Sequence, residues 1–456
     1  MLVPNQPQPR RLTPSLRPSF MAVFAPSRGT EAAPEVPSTP PQPGPPPPQP
    51  GGEQLQGEGA SLKLPAEVIE RLKFTVFGFD TFWVTSVSNY QEDGVIFKGN
   101  VRGKNPGLAY AKMKDRLKAE LGTQYDLFLL QDETDAPQVV VLPAGVGVES
   151  ISRLTEVWLS CAFLLGTALS VANAANVPLF QWLADGGQTP LTAQDWLDAA
   201  PFMLATAALL GAHEFGHWQA ARKHGTDMYL PFIIPAGFGF IGSFGGINRL
   251  RSFLPNREAL LEFASKGPLL GSAVSVSLLL LGLLLSAMGF SDVGVDSPSF
   301  ADSFLVAIAA QAFLGQALAQ PLVQVNSLML AGWSGLVVNA LACIPLGETD
   351  GGRIATALWG RRTGSAIGLW TSGVLALSSL GSALAFYWLV LVLVLQRGPV
   401  LPCRDEVTQP QHPLIIRQSL LMLALPLLVL LPYPVELIVA IQDYLASPST
   451  SLVFGF

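Results

Sequence analysis

The chain has 456 residues, 49% of them hydrophobic and only 13% charged. Soluble domains carry about 25% charged residues; half that value, with several apolar runs of roughly 20 residues, excludes an ordinary soluble protein and describes a polytopic membrane protein. A net charge of −6 without a Lys/Arg cluster beyond the N-terminus argues against a nucleic-acid partner, and the odd, widely spaced Cys161, Cys343 and Cys403 argue against a disulfide framework.

Residues 1–60 form a segment of their own. Arg10, Arg11, Arg17 and Arg28 are scattered among serines with no acidic residue before Glu31, and the tract "PSTPPQPGPPPPQPGG" follows. Such a Pro/Gly tract cannot bury apolar surface and is expected to be extended. An Arg-rich, acid-poor start without an apolar core resembles an organelle transit peptide rather than a secretory signal, the alternative being a plain cytosolic tail.

From 62 to 145 the composition is that of a small soluble α+β domain. "PAEVIERLKF" and "GLAYAKMKDRLKAELG" carry helical periodicity, with Pro65 and Pro106 suited to first turns. "GVIFKGNVRG", "YDLFLL" and "PQVVVLP" read as short strands.

Residues 152–445 are membranous, and 446–456 make a short tail. The expected spans are 154–176, 199–221, 262–289, 326–348, a helical hairpin over 364–396 that contains Gly373 and Gly381, and 414–432. The fold class is therefore a polytopic α-helical membrane protein of about six to seven spans. The loops after the first and third spans are acidic, whereas Arg222, Lys223, Arg249, Arg251 and Arg257 lie between the second and third spans and Arg353, Arg361 and Arg362 follow the fourth. The positive-inside rule puts these basic loops and the N-terminal domain on the cytosolic or stromal side. The apolar stretch 304–320 would invert that pattern if it crossed, so it is expected to be re-entrant.

Three of the four histidines fall in "GAHEFGHWQAARKHG" (211–225). His213 and His217 lie one turn apart on one helical face, and HExxH at this spacing offers two imidazoles to a Zn²⁺ with Glu214 as general base. Ionisable groups inside a membrane helix cost about 2.5–3.5 kcal/mol each, which favours function over chance. His224 follows Arg222 and Lys223 and belongs to the basic loop; His412 is an ordinary loop residue.

A catalytic zinc needs three protein ligands and an open position. Asp350, in "NALACIPLGETDGGRI", sits near the inner end of its span as the His pair does of its own, and Pro345 breaks the helix ahead of it. Glu348, two residues away, is the competing ligand. Asn339 is a buried amide for a helix–helix hydrogen bond or for a substrate backbone. "YLPFIIPAGFGFIGSFGGI" (229–247) is too broken for a helix and too apolar for a loop. It reads as a membrane-dipping β-hairpin whose edge, with Phe244 and Gly245 as substrate contacts, can pair with an unwound chain.

Taken together, "HEFGH" (213–217), "SFGGINRLRSFLPNRE" (243–258), "GPLLG" (267–271) and "DGGR" (350–353) resemble the site-2 protease (peptidase M50) family of intramembrane zinc metalloproteases. "FKGNVRG" (97–103) and "AGWSGLVVNALACIPLGETDGGR" (331–353) are similar to its plastid and cyanobacterial branch, known from ethylene-dependent gravitropism-deficient, yellow-green plants. The resemblance covers about 62–445. It implies zinc on His213, His217 and Asp350 with Glu214 as catalytic base, and it makes Gly99, Asn100, Arg102 and Gly103 a branch signature. The chain departs from the branch's N-x-x-P…L-D-G at Ala342 and Thr349. The first change removes an amide that the resemblance associates with holding substrate, and Asn339 is the nearest substitute.

The expected function is cleavage of membrane proteins that carry a transmembrane helix, in a chloroplast thylakoid or envelope membrane or alternatively a cyanobacterial one. The alternative function is a catalytically weak scaffold or chaperone for thylakoid proteins. A transporter would need internal repeats, and none is evident.

Overall fold

The computed structural model describes residues 64–90, 94–132, 134–145, 151–396 and 398–434. The expected transit segment 1–60 and the tail 446–456 lie outside the described residues.

The N-terminal unit begins with α1 (Ala66–Arg71), which runs on as a π-turn over Leu72–Val76. Strands β1 (Phe82–Tyr90) and β2 (Gly94–Val101) follow, then α2 (Pro106–Leu121), β3 (Tyr125–Gln131) and β4 (Pro137–Pro143). Asn105 caps α2 by accepting from Leu108 N, with Pro106 in the first turn. The sheet is antiparallel in the order β1-β2-β4-β3. Its strands β3 and β4 are buried on both faces. Leu127, Leu129, Val139 and Val141 meet Met113 and Leu117 of α2 on one side. Phe128, Leu130 and Val140 pack on Phe253 of the membranous part on the other. Double burial explains why "PQVVVLP" reads as an unbroken apolar run rather than an alternation. β1 was not among the strands expected from sequence; it is an edge strand, mostly out of the core, with a bulge between Val84 and Ser86.

The second part starts with α3 (Arg153–Ala174), followed by the short α4 (Leu179–Ala184) and then α5 (Ala193–Lys223). A reciprocal capping box between Thr192 and Asp195 starts α5. The hairpin β5 (Phe232–Phe238) and β6 (Ile241–Ile247) leads to α6 (Arg257–Ala287). A two-stranded ladder, β7 (Val293–Asp296) with β8 (Leu322–Val325), encloses α7 (Phe304–Leu314) and the 3-10 turn Gly315–Ala319. The stretch 304–320 is thus a three-turn helix and a turn, with strand β8 just beyond.

The last elements are α8 (Ser327–Ala342), α9 (Asp350–Trp359), α10 (Arg361–Ser378), α11 (Ala383–Leu395) and α12 (Pro413–Val429). The expected span 326–348 stops at Ala342 and gives way to an irregular turn at Pro345. The expected hairpin over 364–396 breaks at 379–382, beside Gly381, while Gly373 lies within α10. Among the described residues, α3 and α6 are long and apolar enough to cross a membrane, and four shorter helices or helix–turn units are strongly apolar.

Helices α5, α6 and α8 make the centre of the bundle. Their backbones approach closely because small residues face one another. A Cβ on Gly332 would lie 2.3 Å from Leu279 N, and one on Gly216 2.5 Å from Lys266 O. The two parts of the chain are stitched by residues 404–406. Arg404 O accepts from Leu129 N and Leu129 O accepts from Glu406 N, both at 2.8 Å, while Arg404 N donates to Leu254 O at 2.9 Å. Arg404 also pairs with Asp126 at 2.7 Å.

Candidate metal centre

HExxH falls in the last three turns of α5, where the helix faces α6 and α8. His213 and His217 are buried, and their Nε2 atoms are 3.0 Å apart. Asp350 is the first residue of α9; its Oδ2 lies 3.4 Å from His213 Nε2 and 3.3 Å from His217 Nε2. The three ligand atoms lie within 4.8 Å of one another, the one such cluster of His, Cys, Asp or Glu among the described residues.

The other face of each imidazole is held by an oxygen. His217 Nδ1 is 2.9 Å from Phe263 O, a group that can only accept, so the ring proton sits on Nδ1 and the Nε2 lone pair is left free. His213 Nδ1 is 2.8 Å from Asn339 Oδ1. The orientation of that amide is fixed because Asn339 Nδ2 donates to Gly335 O at 2.7 Å. Two imidazoles with free Nε2 atoms converge on one carboxylate, with their far nitrogens anchored. That donor set fits Zn²⁺.

The turn before Asp350 explains how a carboxylate reaches this depth. Thr349 caps α9: its Oγ1 accepts from Gly352 N at 3.1 Å and donates to Ile344 O at 2.7 Å. The helix N-terminus then favours the negative charge of Asp350. Arg353, one turn on, lies 3.6 Å from Asp350 Oδ1, stacks over Phe263 and donates to Asn248 O at 2.5 Å. Thr349 therefore has a structural task that a leucine side chain lacks the oxygen for.

The two glycines of "GPLLG" also acquire a reason. A Cβ on Gly267 would lie 2.2 Å from His217 Nε2, and one on Gly271 2.4 Å from Asn339 Oδ1. α6 is glycine where it passes His217 and where it passes Asn339.

Glu214 is next to His213 and half-buried against β6, where a Cβ on Gly246 would fall 2.2 Å from its Oε1. Its Oε2 has no hydrogen-bond partner in the protein. The hairpin thus runs beside the carboxylate. On the far side of the hairpin, the β5 carbonyls of Ile233 and Ala236 accept from Thr167 and Ser170 of α3, the first at 2.6 Å. Residues Phe244 to Asn248 line a small pocket with His213 and Asp350. The pocket measures about 20 Å³, room for about one or two waters.

The remaining candidates distribute as follows. Asn339 is 1% exposed and turned to His213. Glu348 is half-buried at the pocket wall, outside the ligand cluster. His224 Nε2 lies 2.9 Å from Glu262, which also binds Lys223, and so belongs to an ion cluster at the end of α5. Gly99 belongs to β2, where a Cβ would strike Trp83 O on β1 at 2.0 Å, and Arg102 stacks over Trp83 at 5.7 Å. The signature it shares with Asn100 and Gly103 therefore lies in the soluble domain. Sequence reasoning did not single out Asn248, just past β6, Trp388 of α11 or Gln396, which caps α11, all three lining the pocket. The one signal for the last two is a pair of polar groups in a very apolar segment.

A buried His-His-Asp cluster with a carboxylate beside it, set among apolar helices, is a donor set of the kind metallohydrolases use. Comparison with known proteins gives the family. Residues 201–386 match peptidase family M50, and residues 70–148 match the EGY3 middle domain. The chain is 40% identical over 380 residues to the probable zinc metalloprotease EGY2, chloroplastic, of Arabidopsis thaliana, covering 82% of this chain and 66% of that protein. It is 41% identical to the EGY2 protein of Oryza sativa subsp. indica, over 82% of this chain and 68% of the relative. The Arabidopsis protein named probable zinc metalloprotease EGY1, chloroplastic, is 31% identical, with 81% and 72% covered. The chain thus spans about two thirds of the length of these relatives. No solved structure matches it. The chain belongs to peptidase family M50, in its branch of EGY zinc metalloproteases.

Proposed function

We propose that this protein is an intramembrane zinc metalloendopeptidase of the chloroplast that cuts proteins carrying a transmembrane helix. The observation that carries the reading is the convergence of His213, His217 and Asp350 beside the buried, unpartnered Oε2 of Glu214.

His213 Nε2, His217 Nε2 and an Asp350 oxygen would hold the zinc, which when bound supplies Lewis-acid activation of a water and of the scissile carbonyl. Glu214 accepts the proton of the attacking water and then delivers it to the leaving nitrogen. A C–O bond forms, the peptide C–N bond breaks, and the products are a carboxylate and an amine. Burial of the site limits competing water. The substrate must be extended there, because a helix shields its own peptide bonds, and β6 offers a strand edge next to Glu214.

The membrane reading extends the two long apolar helices to about six to seven spans, with α5, α8, α10, α11 and α12 completing the set and α7 re-entrant. The basic residues at the ends of α5 and α9 face the stroma in this scheme. The chloroplast assignment rests on the names of the relatives and on the arginine-rich first 30 residues.

The test is cleavage of a model transmembrane substrate by the wild type and by Glu214→Gln, with zinc content measured in both. The expected result is loss of cleavage with zinc retained. Equal activity in the two proteins would sink the mechanism, and a zinc-loaded wild type without turnover would favour a scaffold.

A further inference from the structure

The pocket beside the metal centre contains polar atoms for which the mechanism above has no use. Trp388 is 2% exposed and Gln396 7% exposed, yet Trp388 Nε1 and Gln396 Oε1 have no hydrogen-bond partner in the protein. A buried polar group left unpaired costs about 1–3 kcal/mol, so two of them on one short helix and its cap ask for an explanation. Both side chains line the same pocket as His213, Asp350 and β6.

Their surroundings narrow the ligand. The rest of the α11 side is apolar: Leu391 lines the pocket between them, and Trp388 faces Phe244 of β6 with ring centroids 6.1 Å apart. Gln396 is held in place by its backbone, whose carbonyl accepts from Glu348 N at 3.0 Å, two residues before Asp350. The indole N–H can only donate, and the free amide oxygen can only accept. A neutral donor and a neutral acceptor in an apolar wall suit the C=O and N–H groups of an extended peptide with uncharged side chains. Eight residues of helix rise about 12 Å. An extended chain covers that distance in three to four residues, far more than the pocket of about 20 Å³ admits as it stands, so a substrate engages these groups only as α11 and β6 part.

We infer that Trp388 and Gln396 form a backbone clamp on the α11 side of the pocket, Trp388 Nε1 donating to a substrate carbonyl and Gln396 Oε1 accepting from a substrate N–H. The clamp rests on the protease reading and makes these two positioning residues, acting together with the β6 edge. A charged substrate side chain that faced Leu391, Phe244 and Val338 would lose its hydration there. Ala342 lines the same pocket with nothing polar to offer.

The experiment uses the full-length protein in lipid nanodiscs, with Glu214→Gln so that a fluorescent transmembrane peptide is bound and not consumed. Gln396→Leu and Trp388→Phe are each expected to weaken retention of the peptide about three- to tenfold, as the loss of one buried hydrogen bond. Zinc content should stay at the parent level. Ala342→Asn, added to Gln396→Leu, should restore part of the retention by returning an amide to the pocket. With Glu214 present, the same substitutions should raise KM more than they lower kcat. Parent-like retention in both variants overturns the clamp. So does zinc lost in step with retention, and so does an Ala342→Asn double variant no better than Gln396→Leu alone. Cleavage by the Glu214 protein is scored separately. Peptide retained through Trp388 and Gln396 but never cut overturns the protease reading and supports the clamp.

Discussion

His213 Nδ1 and Asn339 Oδ1 are 2.8 Å apart, on helices separated by more than a hundred residues of chain. In this arrangement the Asn339 oxygen accepts a hydrogen bond from the imidazole and its nitrogen donates to Gly335 O. Replacing Asn339 by leucine removes the acceptor that fixes the ring of His213. Supporting partners of metal-bound histidines contribute about 10–100-fold in metal affinity. Asn339→Leu is therefore expected to lose zinc at chelator concentrations that the wild type resists. Metal analysis after dialysis measures this; a leucine variant with wild-type retention would reduce the contact to simple packing.

Gly267 allows a sharper test, because it alters no ligand. A methyl group there would be driven to 2.2 Å from His217 Nε2, the atom expected to bind the metal. Gly267→Ala should fold with an intact HExxH and still bind little or no zinc. Gly211→Ala is the control on the neighbouring helix: nothing lies within 4 Å of its new Cβ, and alanine is the better helix former by about 1 kcal/mol. Zinc content should separate the two proteins even though both substitutions are glycine to alanine. Equal zinc in both would mean that α6 yields more easily than its close packing suggests.

Thr349 couples the start of α9 to the position of Asp350. Valine keeps the shape of the side chain and deletes both the bond accepted from Gly352 N and the bond donated to Ile344 O. Loss of such a cap costs about 1 kcal/mol. Thr349→Val should accordingly lower thermal stability slightly and zinc affinity more clearly, and Thr349→Ser should recover both. A serine variant as impaired as the valine one would show that the methyl group, not the hydroxyl, is what matters.

Much of this centre is written locally, and local signals are what a sequence displays. His213, Glu214 and His217 are one helical face, and Asp350 announces itself beside Gly351 because a carboxylate and two glycines at a broken helix have few other uses. The supporting residues behave differently. Phe263 orients His217 through its backbone carbonyl, which no side-chain pattern can signal. Asn339 carries two readings in the sequence, and only the packing of α8 on α5 and α6 brings its oxygen to His213. Trp388 and Gln396 look like the edge of an apolar helix until the pocket wall is assembled. In the soluble domain, β1 went unread because its residues are mostly outside the core, so burial leaves little alternation in them. The strand-like contacts of residues 404–406 have no periodicity at all; Leu129 and Leu254 create them across long separations.

The soluble domain offers a pH test away from the membrane. Asp80 accepts two bonds from Arg116, at 3.0 and 2.7 Å, and lies 3.4 Å from Lys112. The Arg116 hydrogen bonds, helped by its charge and by Lys112, hold the Asp80 carboxyl below its ordinary value of 3.8. A carboxyl depressed in the folded state stabilises fully above its unfolded pKa, and that stabilisation fades as pH falls through the lower folded value. The pair is exposed, so the effect is small and weakens with salt. Asp80→Asn should leave the domain slightly less stable at pH 7, and the difference from the wild type should shrink steadily below pH 4. Hydrogen exchange of the amides in α2, followed against pH at low ionic strength in the full-length protein, reads this directly. A difference that is constant from pH 7 down to pH 3 would mean that Asp80 acts through packing around Gly78 rather than through its charge.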